Sequence, residues 1–144
     1  MFDNLPCLEQ VVWFHKPSDS GMSSLSKVRD LRVWHYGPRS KSFANLEVPQ
    51  SIGRLDFYWA NTRSLDGLPQ LASLRRLEMH RCRDLQDLSQ LPSLFPNLEH
   101  LDISACGKLK PHHCAQVVAQ LPNLTVAVLQ HRALPLTQAG SRVA

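Results

Sequence analysis

Apolar residues along the chain come in small alternating sets that recur every 20 to 26 residues. The clearest set is Leu74, Leu77, Met79, Cys82 and Leu85. Leu98, Leu101, Ile103, Cys106 and Leu109 repeat it without a gap. Both read L-x-x-L-x-L-x-x-C-x-x-L. Looser copies begin at Ile52 (with Leu55, Phe57 and Ala60) and at Val28 (with Leu31, Val33 and Tyr36). One more begins at Leu8 (with Val11 and Trp13), where Lys16 takes the cysteine slot. The last begins at Leu124 (with Ala127 and Leu129), where Arg132 takes it. The central alternation in each copy predicts a short strand with two inward residues and outward ones between them. A single such strand buries little. Six stacked in parallel bury one continuous column of Leu, Val, Ile, Phe and Met.

The connections read differently. Leu65, Leu68, Leu71 and Leu74 recur every third residue, as do Leu85, Leu88, Leu91 and Leu94. With Pro69 and Pro92 among them, that spacing predicts turns or 3₁₀ pieces rather than long α-helices. Pro111 through Leu121 is the exception. Proline opens it, good helix formers follow, and Pro122 closes it, which predicts an α-helix. Ala115, Val118, Ala119 and Leu121 form its expected inner stripe. Segments 17–27 and 37–51 read as polar, irregular loops. Residues 133–144 carry no copy and are expected to fray.

This pattern resembles the leucine-rich repeat in its short, 22–24-residue class. The resemblance covers about residues 5–132, with copies starting near 8, 28, 52, 74, 98 and 124. It implies an α/β solenoid, a right-handed superhelix with a parallel concave β-sheet of about six short strands. The convex side would be mostly irregular or 3₁₀, with one α-helix near 111–121. It also implies a single domain over 1–132 with 133–144 as a tail. Family resemblance further implies that the cysteine slot turns the chain inward and bonds the neighbouring turn. Cys82 and Cys106 suit that place as small hydrophobes with a weak donor. The terminal copies depart most from the pattern, as capping repeats do. The phrase from Phe95 to Cys106 is similar to plant immune receptors of the nucleotide-binding type. The Cys106 copy with its helix resembles substrate-binding repeats of F-box proteins. Neither an F-box nor a nucleotide-binding loop is present, so neither role carries over.

Composition narrows function by exclusion. A chain of 144 residues fits one domain. No run of 18 apolar residues suggests a membrane span, and no signal peptide is visible. Together with inward free cysteines this favours a reducing cytoplasm. The net charge is +4, but the basic residues are scattered, densest only at Arg39 and Lys41, which argues against nucleic acid as a partner. His112, His113 and Cys114 adjoin, yet zinc needs about four converging ligands and neighbouring helical residues splay by about 100°. Cys82 and Cys106 are expected inward and His80 outward, so no metal and no cofactor are expected. No nucleophile elbow, cysteine-protease signature or glycine-rich phosphate loop occurs, so the chain reads as a non-enzyme.

Binding remains. Taking each copy from its start, three positions per strand face away from the core, and a fourth sits at the strand exit. The outward columns run Asp30, Arg54, Arg76, His100; Arg32, Asp56, Glu78, Asp102; and Phe14, Trp34, Tyr58, His80. The exit column includes His35, Trp59 and Arg81. Trp, Tyr and Arg are the residue types most often found as interface anchors. The candidate partner-binding face is therefore Phe14, Arg32, Trp34, His35, Arg54, Asp56, Tyr58, Trp59, Arg76, Glu78, His80 and Asp102, with another protein as the expected partner. The acidic column is expected on the open face, paired with the Arg and His beside it. The alternative is a structural segment of a larger repeat array, or a module self-associating through its N-terminal end. There Trp13 points inward with only residues 1–7 expected to cover it.

Overall fold

The computed structural model describes residues 7–134 and 136. Six parallel strands stack in sequence order: β1 (Gln10–Phe14), β2 (Asp30–Trp34), β3 (Arg54–Tyr58), β4 (Arg76–His80), β5 (His100–Ser104) and β6 (Val126–Leu129). Their register joins equivalent positions. Leu31, Leu55, Leu77, Leu101 and Ala127 form one inward row, and Val33, Phe57, Met79, Ile103 and Leu129 the other. Pairing therefore follows the spacing of the apolar sets. The inward rows are buried because each strand alone exposes an apolar edge that only its neighbours can cover.

A seventh strand, β7 (Arg132–Ala133), pairs antiparallel with β6. The expected count of about six is thus exceeded. The link is a two-residue loop in which Gln130 and His131 both have positive φ, 51° and 68°. That is the twist a tight hairpin needs. The Leu134 N–H then bonds the Ala127 carbonyl at 2.7 Å, so the expected fraying does not begin at residue 133. The rest of the expected tail, Leu136 apart, and residues 1–6 lie outside the described residues.

Segments 17–27 and 37–51 differ from the polar loops expected of them. The first forms a 3₁₀ turn at Met22–Ser24, and both supply core: Met22, Leu25, Phe43, Leu46 and Val48 are buried. Phe43 stacks on Tyr36 at 5.5 Å and meets Phe57 at 4.8 Å. Its N–H bonds the Asp66 carbonyl at 2.9 Å, which brings Gly67 against the same segment. A β-carbon on Gly67 would stand 2.3 Å from the Ala44 nitrogen, at a φ of +93°. Gly67→Ala is therefore expected to cost at least about 1–3 kcal/mol from backbone strain alone, measured by urea unfolding. Gly107→Ala, with nothing within 4 Å of the added carbon, is the control.

Among the described residues two short α-helices occur rather than one: α1 (Leu91–Leu94) and α2 (Pro111–Val118). Pro92 sits in the first turn of α1, where its missing N–H costs nothing. In α2 the buried stripe is Cys114, Val117 and Val118, continued by Leu121 after the helix. Ala119 is exposed, so the expected stripe is rotated by one position. Four of the six inward-turn slots are filled by buried Tyr36, Ala60, Cys82 and Cys106. Lys16 and Arg132 in the terminal copies are exposed. A polar column precedes the strands. Ser51 Oγ donates to the Val28 carbonyl at 2.6 Å, Ser73 Oγ to Ile52 at 2.7 Å, and Asn97 Nδ2 to Ala72 at 2.9 Å. Each ties one turn to the turn before it. Among the described residues, no helix is long and apolar enough to cross a membrane.

Candidate protein-binding face

The sheet face turned away from the core carries two unlike strips. The first is aromatic and lies at the strand ends. Phe14, Trp34, Tyr58 and His80 occupy equivalent positions on β1 to β4, and adjacent strands lie about 4.8 Å apart. That spacing suits stacked rings. Phe14 and Trp34 stack with centroids 5.6 Å apart, Trp34 and Tyr58 at 4.6 Å and 12°, and Tyr58 and His80 meet at 4.9 Å. The His80 Nδ1 is hydrogen-bonded to Ser104 Oγ, which ends the row. The rings thus form one continuous row along the strand ends. Phe14 is the most exposed at 60%, while Trp34, Tyr58 and His80 are half-buried.

One residue further on, the chain turns inward through left-handed backbone. His35, Trp59, Arg81 and Ala105 have φ of 59°, 58°, 58° and 55°. This conformation costs non-glycine residues energy. At the first three of these turns it is held by a bond from that residue's N–H to the next strand: His35 to Tyr58, Trp59 to His80 and Arg81 to Ser104, at 2.9–3.0 Å. The turn throws a second set of side chains outward. His35 stacks flat on Trp59 at 5.1 Å, and the Arg81 guanidinium lies 5.3 Å from a Trp59 ring centroid. Sequence reasoning did not find this backbone, because no glycine or asparagine marks it.

The second strip is charged and runs along the middle of the strands. Here the expectation of an open acidic column is corrected. Asp56 and Glu78 are buried, with side chains 2% and 7% exposed. The arginines fold over them: Arg54 bonds both Asp56 oxygens and reaches Glu78 Oε2 at 3.1 Å. Arg32 Nε lies 3.4 Å from Asp56, and Arg76 pairs with Glu78. His80 Nε2 is 2.8 Å from Glu78 Oε1. Asp102 stays half-buried. Over Asp56 and Glu78, solvent therefore meets guanidinium rather than carboxylate. Burial pushes the Glu78 carboxyl up. The hydrogen bonds from His80 and Arg76 and the charges of Arg76 and Arg54 outweigh it and hold the carboxyl below its ordinary value. Arg54 is shifted up, chiefly by its bond to Asp56. His100 is lowered by burial and by Arg76.

Glu78, His80 and Asp102 each offer a ligand atom within 4.8 Å of the others, a grouping the outward reading of His80 did not anticipate. A metal ion there would compete with Arg54 and Arg76 for Glu78 and with Ser104 for His80. The arrangement is chemically a closed salt-bridge cluster. Cys82 and Cys106 are buried free thiols; Cys82 turns its Sγ toward the His80 carbonyl, and Cys106 toward those of Met79 and Ser104. All twelve residues expected at the face lie on this side of the sheet or at its strand exits. They fall into an exposed aromatic edge and an arginine-covered acidic floor. No family model matches the chain, and no solved structure matches it.

Proposed function

We propose that this chain is a leucine-rich-repeat module, an α/β solenoid whose sheet is its concave face. On this reading it is a non-catalytic, cytoplasmic scaffold that binds another protein through that face. Recurrence of the L-x-x-L-x-L-x-x-C pattern with parallel strands at its spacing supports the repeat reading. The observation that carries the function is the aromatic edge. Phe14, Trp34, Tyr58, His35 and Trp59 gather on one surface although each pays nothing to the core. Rigid aromatic side chains lose little freedom on binding and present much apolar area. The neutralised floor beside them presents guanidinium donors for orientation. Repeat folds host many functions, so the reading rests on this surface and not on the fold.

The test uses two exposed rings, Phe14 at 60% and Trp59 at 36%. Phe14→Ala and Trp59→Ala are each expected to lower affinity for the partner captured from the native host about tenfold or more, or about 1.4–2 kcal/mol. Their stability should fall by no more than about 0.5–1.5 kcal/mol, the worth of a lost ring pair. Undiminished binding by both variants overturns the reading. A second reading is kept by one observation. Among the described residues no strand lies outside β1, and Val12 and Phe14 beside that edge are 58% and 60% exposed. An open strand edge is a template for pairing, as in self-association or a longer repeat array. A single monomer species in light scattering removes self-association. A dimer lost in Val12→Lys favours it over the scaffold reading.

A further inference from the structure

A cavity of about 560 Å³ opens beyond the ends of β1 and β2, where segments 15–20 and 36–47 rise beside each other. Its size is that of a small-ligand site, about 300–1,000 Å³. Its walls are Trp13, His15, His35 and Tyr36, and Asp19 and Glu47 lie among them. Trp13 and Tyr36 are buried, 4% and 2% exposed, so their rings are fixed. His15 packs between them, 5.0 Å from Trp13 and edge-on to Tyr36 at 4.8 Å.

The two carboxylates are held in the same way. Asp19 Oδ2 accepts the Trp13 indole N–H at 2.7 Å and the Lys16 N–H at 3.2 Å. Glu47 Oε1 accepts the Gly21 N–H at 2.9 Å and the Ser23 N–H at 3.3 Å. Each is anchored through one oxygen. The other oxygen of each, Asp19 Oδ1 and Glu47 Oε2, accepts no hydrogen bond from the described residues. The Trp13 bond keeps Asp19 below the ordinary carboxyl range, so it is charged at neutral pH. Burial lowers the pKa of His15, against a smaller pull from Asp19, so its ring is neutral there. A neutral imidazole adds a π face instead of a positive charge.

We propose that this cavity binds an organic cation: a primary ammonium or guanidinium group on an apolar stem. Aromatic faces attract cations, more strongly when water is excluded. Two anchored carboxylates with spare acceptor oxygens suit a cation that has N–H donors. Arg39 also lines the cavity and is exposed. It is the group that works against a cationic guest. The site requires neither a protein partner nor the repeat assignment, so it stands or falls apart from the function proposed above.

The experiment titrates the ¹⁵N-labelled full chain with n-butylammonium and with 1-butanol, following the Trp13 indole N–H and the His15 and Tyr36 amides. Saturable shifts are expected with the ammonium, with the alcohol at least about tenfold weaker. In Asp19→Asn/Glu47→Gln, which keeps the anchoring acceptors, ammonium affinity is expected to fall about tenfold, and in Arg39→Gln to rise. Equal binding of alcohol and ammonium, or ammonium binding indifferent to the double variant, overturns the proposal. If the double variant does not fold, the ammonium–alcohol comparison on the parent and Arg39→Gln still decides. A lysine-containing pentapeptide binding more tightly than n-butylammonium identifies the cation as a protein side chain. Weaker binding identifies it as a free amine.

Discussion

Leu77→Ala and Leu101→Ala are each expected to remove about 2–5 kcal/mol of stability, from a total of about 5–15 kcal/mol for a domain of this kind. Both side chains are buried, 0% and 1% exposed, and they are register partners on β4 and β5. Each lies between further apolar residues of its row, Leu55 on one side and Ala127 on the other. The cavity left by either truncation opens in the middle of the sheet. Spatial neighbours here are sequence neighbours, so no distant segment can move in to fill it. Val12→Ala, on an exposed side chain of β1, is expected to stay within about 0.5 kcal/mol. Urea melts of the three variants check this. If the leucine variants melt like Val12→Ala, the inward assignment of these rows is wrong.

The strands were legible because two signals coincide. Alternation inside each apolar set fixes which side chains face inward, and the distance between sets fixes which strands are neighbours. Every observed pairing from Gln10↔Asp30 to His100↔Val126 follows those two quantities. The connections were less legible because their cores are dilute. Phe43, Leu46 and Val48 lie among Ser, Pro, Lys and Asn, and a short polar context hides three buried residues. The β6–β7 hairpin was missed for a local reason. Its two-residue loop is Gln130–His131, where Asn-Gly would have announced positive φ. The left-handed turns at His35, Trp59 and Arg81 were missed likewise. They are imposed by ladder bonds from the next strand, not by the residue that adopts them.

The face was legible as columns but not as depth. Reading outward positions down the chain assembles Phe14, Trp34, Tyr58 and His80 correctly, because strand spacing leaves aromatic rings little choice but to stack. The same reading places Asp56 and Glu78 outward, and in direction they are. Their burial depends on how the long stems of Arg32, Arg54 and Arg76 lie across them, which no one-dimensional pattern contains. The Trp13–Asp19 bond that builds the cavity wall is hidden for a related reason. It joins residues six apart through a loop with no periodic signal.

Arg54→Ala is expected to be the costliest change on the open face and to reverse the response to acid. Arg54 is the one cation bonded to both buried carboxylates among the described residues. Asp56 and Glu78 are register partners on β3 and β4, about 4.8 Å apart in the backbone. Without Arg54 they face each other as buried like charges, with Arg32 left to Asp56 and Arg76 left to Glu78. Breaking a buried pair by removing one partner costs about 3–5 kcal/mol. The lower end is expected here, because the Arg54 side chain is 33% exposed and solvent reaches the gap. In the parent, Glu78 titrates below its ordinary value of 4.5. Its contribution is therefore present above that value and lost as pH falls through the folded value. In the variant, the unscreened repulsion between the two buried carboxylates opposes their being charged together in the folded state. The penalty is then full at neutral pH and shrinks as pH falls and one of the pair takes a proton. Melting curves from pH 7 to pH 4 should show the parent holding or losing stability while Arg54→Ala gains it. Parallel pH profiles would mean that solvent, not Arg54, neutralises this floor.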